Sequence, residues 1–373
     1  MFETLKRLIA AKSTSEVGEM AAAQVVADVL SRNGVDCRLD SWAPNRANVL
    51  AHLESKGEKP GILFLAHLDV VGADEKAWHT PPFEAVEAGG RIYGRGAVDM
   101  KGGLAAAMEA LKRVAMNRKD LKGSVYLAAV AGEETDSAGI NRLVSHIDRL
   151  GGISGVVICE PTGLKMVTSH RGMLWVKITT LGKSAHGAMP HAGINAIDSM
   201  LAALEKVRGI DSGPVSHHRL GKGTISINCI SGGIATNIIP DACSAEIDAR
   251  VVPGQSTASV LNGFQHVIEQ LRAASPAFQA KLEVMKRAEA LETEDNCEFV
   301  RNLCEATGIS ERSSVGFTTD GPWLKPLGAP VVVFGPGDPE LCHKPDEYIE
   351  MSELQRAADY YYTIILHCLA ETP

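Results

Sequence analysis

Histidine and acidic side chains follow the ends of four short apolar runs in this sequence, and these residue types bind metal ions and transfer protons. The runs are GILFLA (61–66), SVYLAAVA (124–131), GVVIC (155–159) and PVVVF (330–334). A glycine-rich stretch, GRGAVDMKGG (94–103), contributes one more carboxylate. The residues concerned are His67, Asp69, Asp99, Glu133, Glu134, Glu160 and His343.

This set of five carboxylates and two imidazoles cannot gather at one place without a compensating positive charge, because like charges raise each other's pKa values steeply. Divalent metal ions supply that charge, and imidazole and carboxylate ligands suit zinc. Taken singly, Asp69 is compatible with a helix N-cap and Glu133–Glu134 with the first turn of a helix. Their coincidence at successive strand ends is what predicts a metal site.

Short continuous apolar runs predict buried strands, and helical segments separate them here. Helical periodicity covers residues 1–11, 18–33 and 101–116, and Gly34 is a stop signal for the second segment. Buried strands that alternate with helices indicate an α/β sheet covered on both faces. Ligands of such sheets bind beyond the carboxyl ends of the strands, so the strand-end residues are expected to share one crevice.

The stretch from 173 to 285 has a different pattern. MLWVKITTLG, GTISINCISGG and CSAEIDARVV alternate apolar and polar residues, and helical stretches cover 193–208 and 257–274. Half-exposed strands with two helices predict a small α+β domain. The predicted organisation is therefore an α/β domain formed by residues 1–172 and 286–373, interrupted by an inserted domain at 173–285.

Composition and charge narrow the class of protein. The 373 residues carry 37 basic and 45 acidic side chains, a net charge of −8, which argues against broad nucleic-acid binding. No apolar run approaches the roughly 20 residues that cross a bilayer, and the charged amphipathic N-terminus is unlike a secretory signal. Eight scattered cysteines without a CxxC pair are expected to be reduced, which predicts a cytoplasmic protein.

Three other enzyme classes lack their motifs in this chain. Gly94-Arg-Gly96 begins a dinucleotide-binding fingerprint, but position 99 is aspartate instead of glycine. The GKS at 182–184 lacks the P-loop glycine five residues upstream, where Lys177 stands. No GxSxG element of a serine hydrolase occurs.

Six blocks of the sequence resemble the co-catalytic zinc peptidases and deacylases, the family that includes acetylornithine deacetylase, succinyl-diaminopimelate desuccinylase and carboxypeptidase G. In the family's order they are LAHLDVV (65–71), GRGAVDMKGG (94–103), GEETDSAG (132–139), CEPTG (159–163), GKSAHGAMPHAGINAI (182–197) and GPGDPELCHKPDEY (335–348). The last block and the FTTDGPWL before it are most similar to the acetylornithine deacetylase branch. The resemblance implies a three-layer, mixed-sheet catalytic domain with an inserted ferredoxin-like α+β domain for dimerisation or as a lid.

The resemblance also implies a set of metal ligands. His67 and Glu160 would bind one ion, Glu134 and His343 the other, and Asp99 would bridge the two. The implied cofactors are two divalent ions per chain, with zinc the first choice and cobalt or manganese as alternatives.

Three further residues take catalytic roles by the same resemblance. Asp69 would hold the ring of His67 through its other nitrogen. Glu133 would be the general acid/base, and His186 of the inserted domain would reach a partner subunit's active site and steady the oxyanion. The family often has a cis peptide at the position of Asp99–Met100.

Substrate contacts are implied at four positions, and a homodimer through the inserted domain is implied with them. Asn237 and Arg250 match lid positions that hold the substrate, and a guanidinium suits a carboxylate. Gly335 and Gly337 would let the backbone approach the substrate closely, with an ordinary tight turn as the rival explanation.

The predicted function is metal-dependent hydrolysis of the amide bond of an N-acyl amino acid, of the acetylornithine deacetylase or succinyl-diaminopimelate desuccinylase type, in amino-acid biosynthesis such as that of arginine. Which acyl group is removed is not specified by the motifs. A dipeptidase or carboxypeptidase is the alternative, although Glu160 instead of aspartate at that position leans towards a deacylase or carboxypeptidase. A non-catalytic metal-binding protein is a remote alternative, because Glu133 and all five ligand positions are retained.

Overall fold

The computed structural model describes residues 1–117, 121–210 and 215–370. The α-helices in these ranges are α1 (Phe2–Ala10), α2 (Met20–Ser31), α3 (Lys101–Asn117), α4 (Ala138–Val144), α5 (Ala196–Arg208), α6 (Thr257–Ala274), α7 (Glu298–Thr307) and α8 (Met351–Leu369). The first ten strands are β1 (Asp36–Ala43), β2 (Arg46–Leu53), β3 (Gly61–His67), β4 (Val86–Ala88), β5 (Arg91–Tyr93), β6 (Val125–Val130), β7 (Ile153–Ile158), β8 (Met166–His170), β9 (Gly172–Leu181) and β10 (Ala185–His186). They are followed by β11 (Ser216–His217), β12 (Gly221–Lys222), β13 (Thr224–Gly232), β14 (Ile238–Ile239), β15 (Ala242–Val251), β16 (Gln279–Ala288), β17 (Leu291–Glu292), β18 (Arg312–Val315), β19 (Val331–Val333) and β20 (Tyr348–Glu350).

The chain divides into two compact units. Unit 1 consists of Met1–Thr168, Glu292–Ser313 and Thr319–Pro373, and unit 2 consists of Ser169–Leu291 and Ser314–Thr318. No sequence pattern predicted the short return of the chain to unit 2 at Ser314–Thr318. Among the described residues, no helix combines the length and the apolar character that crossing a bilayer requires.

Unit 1 is built on a mixed sheet in the order β1-β2-β6-β3-β7-β19-β8. The central strands β6, β3, β7 and β19 are parallel to one another, and β2 and β8 join them in antiparallel fashion. Every residue of β3 and of β6 is buried, as continuous apolar runs predict for strands covered on both faces. This arrangement confirms the predicted α/β fold class.

The parallel strands bring their carboxyl ends to the same edge of the sheet. His67 is the last residue of β3, Glu133 and Glu134 follow β6, and Glu160 follows β7. Gly132, with a φ of 79°, turns the chain sharply after β6. Because β6, β3 and β7 are neighbours in the sheet, the candidate metal ligands that follow them lie side by side.

Unit 2 has the chain order β9-α5-β13-β15-α6-β16, with an antiparallel sheet in the order β13-β15-β9-β16. Two split βαβ halves of this kind form a ferredoxin-like layer. The apolar faces of α5 and α6 share a core with the alternate, buried residues of β9 and β15. Helix α5 begins at Ala196, because Asn195 caps it by accepting hydrogen bonds from the N–H groups of Ile197 and Asp198.

Candidate metal centre

The imidazole of His67 lies between two carboxylates at the end of β3. Its Nε2 is 3.1 Å from Oδ1 of Asp99 and 3.4 Å from Oε1 of Glu160. The side chains of His67 and Glu160 are almost completely buried, and Asp99 is 14% exposed. These three groups converge on one point from β3, from the end of β7 and from the turn before α3.

A second group of three shares the same aspartate. Nε2 of His343 is 3.2 Å from Oδ2 of Asp99 and 2.9 Å from Oε1 of Glu134. His343 is half exposed, whereas Glu134 is largely covered. The two oxygens of Asp99 thus contact one histidine each, so that its carboxylate lies between the two groups.

These spacings suit divalent ions. With metal–ligand bonds of about 2.1 Å, neighbouring ligand atoms of a tetrahedral zinc site are roughly 3.4 Å apart, close to the four contacts above. The ligand atoms of His67, Asp99 and Glu134 also lie within 4.8 Å of one another. Two three-ligand groups that share one carboxylate could each hold one ion and leave a coordination position open for water.

The electrostatics of the cluster favour a bound cation. Burial raises the pKa of the Glu160 carboxyl, and the neighbouring charge of Asp99 raises it further. Burial disfavours the charged ring of His67, but Glu160 and Asp99 outweigh burial and raise its pKa well above the ordinary value. Hydrogen bonds to Asp99 and Glu134 raise the pKa of His343 to about 10. The raised pKa values of both histidines show that the carboxylates around them favour positive charge at this place.

Asp69 organises the turn after β6. Its carboxylate accepts hydrogen bonds from the N–H groups of Gly132 (2.8 Å), Glu133 (3.1 Å) and Glu134 (2.9 Å). Nδ1 of His67 hydrogen-bonds to the backbone carbonyl oxygen of Asp69 at 2.9 Å, whereas the nearest carboxylate oxygen is 3.7 Å away. The resemblance implied that Asp69 holds this ring by its other nitrogen, and in the structure the hydrogen-bonded contact is made by the backbone of Asp69.

The segment around Asp99 carries two unusual backbone features. The peptide bond between Asp99 and Met100 is cis. Gly103, in the first turn of α3, lies so close to the end of β7 that an added Cβ would be 1.9 Å from the carbonyl oxygen of Cys159. Only glycine permits this approach of α3 to the segment that follows β7 and contains Glu160.

The predicted lid residues all lie in unit 2. His186 is an exposed residue at the end of β10, and its Nδ1 accepts a hydrogen bond from the N–H group of Ala188. The carbonyl oxygen of Asn237 accepts a hydrogen bond from Gly187, next to His186. Arg250, on β15, forms a two-bond ion pair with Asp248 at 2.8 and 2.9 Å. A carboxylate ligand of Arg250 would therefore have to share the guanidinium with Asp248 or displace it.

The two glycines of the GPG segment make close contacts within unit 1. An added Cβ on Gly335 would be 2.4 Å from the carbonyl oxygen of Cys159, and one on Gly337 would be 2.8 Å from Val98. Gly337 also has a φ of 103°. These contacts explain both glycines by close packing against the metal-site loops, and a substrate contact at either stays a prediction.

Two buried charged residues near the cluster were not singled out from the sequence. Arg95 and Glu347 form an ion pair at 2.6 Å, with 4% and 0% of their side chains exposed. Both residues belong to blocks that were quoted for the resemblance, GRGAVDMKGG and GPGDPELCHKPDEY. Their position within these blocks was the only signal, because charged residues in loops are ordinarily solvent-exposed.

Comparisons with known proteins identify the family. The sequence profile described as "Peptidase family M20/M25/M40" matches residues 63–367. An acetylornithine deacetylase of Myxococcus xanthus is 31% identical over 88% of this chain and 86% of its own length. A probable succinyl-diaminopimelate desuccinylase of Staphylococcus aureus is 27% identical over 96% of this chain and 95% of its own length.

A solved structure shows the same fold. An M20 family metallo-carboxypeptidase of Sulfolobus solfataricus superposes with a TM-score of 0.83 and 19% identity, covering 98% of each chain. The profile covers well over half of the chain, and the relatives span nearly all of it. This protein is a hydrolytic enzyme that acts on amides, and it belongs to peptidase family M20/M25/M40.

Proposed function

We propose that this enzyme is a dimetal deacylase that hydrolyses the amide bond of an N-acyl amino acid. The observation that carries the proposal is the shared Asp99 carboxylate, whose two oxygens each contact one histidine within 3.2 Å. His67 and Glu160 would hold one ion, and His343 and Glu134 the other. Two ions held by these residues would lower the pKa of a bound water and polarise the acyl carbonyl.

Glu133 is the proposed general base and acid. It lies next to the proposed ligand Glu134, in the turn whose N–H groups donate hydrogen bonds to Asp69. Its charge contributes to the raised pKa of Glu160. In this role Glu133 takes the proton of the attacking water and returns it to the nitrogen of the leaving amine. No covalent intermediate with the protein is required.

We assign the binding of the oxyanion and of the product carboxylate to residues of unit 2. His186 is exposed and its Nδ1 accepts the Ala188 N–H group, which leaves Nε2 as the hydrogen-bond donor of the neutral ring. Such a donor to a developing oxyanion contributes about 3–4 kcal/mol to transition-state stabilisation. Arg250, together with Asn237, would bind the carboxylate of the amino acid.

We propose a homodimer through unit 2, with His186 acting in the partner's site. Strand β13 is at one edge of the unit 2 sheet, and its side chains are mostly exposed, including Ile230 at 56%. A long exposed edge strand with apolar residues is a surface that proteins ordinarily cover by pairing.

The test is amine release from N-acetylornithine, N-succinyl-diaminopimelate and a series of dipeptides, each with added zinc or cobalt and with a chelator. Chelator-sensitive release from one acylated amino acid supports the proposal and identifies the acyl group. Release from dipeptides alone would favour the peptidase alternative. The similarity to the carboxypeptidase structure does not favour that alternative, because it shows only a shared fold. Absence of hydrolysis with two ions bound would contradict the substrate assignment, and absence of bound metal would contradict the metal centre itself.

A further inference from the structure

The Arg95–Glu347 ion pair is buried in unit 1, beside the proposed metal ligands. Its two charged groups are 2.6 Å apart, and Glu347 has no exposed surface. A buried ion pair is a poor source of net stability, because removing both charges from water offsets most of their attraction. A positional role explains its presence better than stability does.

Glu347 fixes the backbone at Asp99. Its Oε1 accepts hydrogen bonds from the N–H groups of Val98 (2.8 Å) and Asp99 (3.1 Å). The other oxygen, Oε2, accepts the bond from Arg95. One carboxylate thus holds the backbone of the residue whose own carboxylate lies between His67 and His343.

Arg95 fixes the backbone at His343. Its guanidinium donates to the carbonyl oxygens of His343 (3.2 Å) and Lys344 (3.3 Å). His343 has a φ of 64°, in the left-handed region that disfavours residues other than glycine. Such a conformation persists only where surrounding contacts enforce it, and Arg95 supplies two of them.

We propose that Arg95 and Glu347 are positioning residues that hold Asp99 and His343 at the spacing required by the second metal ion, the one assigned to His343 and Glu134. This inference rests on the proposed function. The pair connects two segments that are about 250 residues apart in the chain and that supply two of the three ligands to this ion. The ion assigned to His67 and Glu160 shares Asp99 but not His343, and its other two ligands extend from β3 and from the end of β7, so it depends on the pair less.

A neighbouring ion pair provides the matched control. Arg91 and Glu350 face each other in the antiparallel pair β5–β20, and Nε of Arg91 is 2.7 Å from Oε1 of Glu350. This pair joins the same two stretches of chain, but it is partly exposed and touches no proposed ligand. If the Arg95–Glu347 pair only stabilised the fold, replacing either pair should have the same effect on metal binding.

The experiment compares R95M/E347L with R91M/E350L. In both variants apolar side chains of similar size replace the whole pair, which leaves no unpaired buried charge. Metal-free protein is titrated with Zn²⁺ to obtain the two dissociation constants, and with Co²⁺ to record the absorption spectrum of each site. E347D, which keeps the charge and shortens the side chain, is a milder variant in case the double variant does not fold.

We expect R95M/E347L to raise the dissociation constant of the second zinc ion by about 10- to 100-fold, because loss of a ligand's supporting contacts typically weakens metal binding by that factor. The first constant should change by less than about threefold, and the cobalt spectrum of the second ion should change. E347D should show the same direction with a smaller effect, and R91M/E350L should match the wild type. Unchanged constants and spectra, or equal weakening of both sites, would overturn the positioning role while leaving the metal centre intact. Failure of the wild type to bind metal would overturn the proposed function as well.

Discussion

His343 and Glu134 are separated by 209 residues in the chain, yet Nε2 of His343 lies 2.9 Å from Oε1 of Glu134. Glu134 is held by a turn whose N–H groups point at Asp69, and His343 lies on a loop held by Arg95. The turn that contains Glu134 and the loop that contains His343 therefore meet at one proposed ion, and each is held by its own hydrogen bonds. The chemistry of the site depends on both supports.

Replacing Glu133 by glutamine should abolish turnover and leave metal binding intact. The amide cannot accept the proton of the attacking water, so kcat is expected to fall by at least about 100-fold. Metal content measured by elemental analysis should equal that of the wild type. The exposed residue Glu16 provides the control, since E16Q should retain full activity. More than a tenth of the wild-type rate in E133Q would remove Glu133 from the proposed role.

Metal loading should release protons. The pKa of His343 is raised to about 10, so its ring is expected to hold a proton at pH 7.5 in the metal-free protein, and the pKa of His67 is raised in the same direction. A histidine must be neutral to bind a metal ion, and metal affinity should therefore increase with pH until these pKa values are passed.

Calorimetry in buffers of different ionisation enthalpy at pH 7.5 measures this release directly. We expect the observed enthalpy to depend on the buffer, and H343A should release fewer protons than the wild type. H367A is a suitable control, because His367 pairs with Glu305 away from the cluster. An enthalpy independent of the buffer would show that the histidines are already neutral.

Asp69 should contribute to stability as well as to activity. Its carboxylate accepts three backbone N–H groups in a buried position, and asparagine would turn an N–H donor towards at least one of them. We expect D69N to lower the free energy of unfolding by about 2–3 kcal/mol, since hydrogen bonds to charged groups are the stronger kind. Urea unfolding of the metal-free protein is the measurement.

Asp74 is the matched control for that substitution. It also accepts a backbone N–H, from Lys76 at 3.2 Å, but in an exposed loop. D74N should change the free energy of unfolding by less than about 0.5 kcal/mol. Equal stability of D69N and the wild type would mean that the turn after β6 does not depend on Asp69.

The action of His186 across a dimer can be tested by mixing two inactive variants. E133Q supplies an intact His186, and H186A supplies an intact Glu133, so a mixed dimer contains one complete site. Random exchange of subunits should restore about a quarter of the wild-type rate, since half of the dimers are mixed and each has one working site. Light scattering after size exclusion verifies the dimer. No recovery in a verified mixed dimer, or a monomer at every concentration, would exclude action across subunits.

Local sequence patterns by themselves determined the main secondary structure and the chemistry of the site. The apolar runs before His67 and Glu133 predicted β3 and β6, because a strand covered on both faces needs apolar residues at every position. Histidine and carboxylates after such runs indicated metal binding, because parallel strands end at one edge of the sheet.

Only the tertiary structure decided how these groups are paired and supported. The backbone carbonyl oxygen of Asp69 is closer to Nδ1 of His67 than the carboxylate is, at 2.9 Å against 3.7 Å, and no residue pattern distinguishes the two atoms. The burial of Arg95 and Glu347 also depends on loops that are far apart in the chain. A local pattern reports which side chains are apolar or charged, whereas contacts between distant segments arise from packing of the whole domain. For that reason the types of the metal ligands could be predicted from the sequence, and the contacts that position those ligands could not.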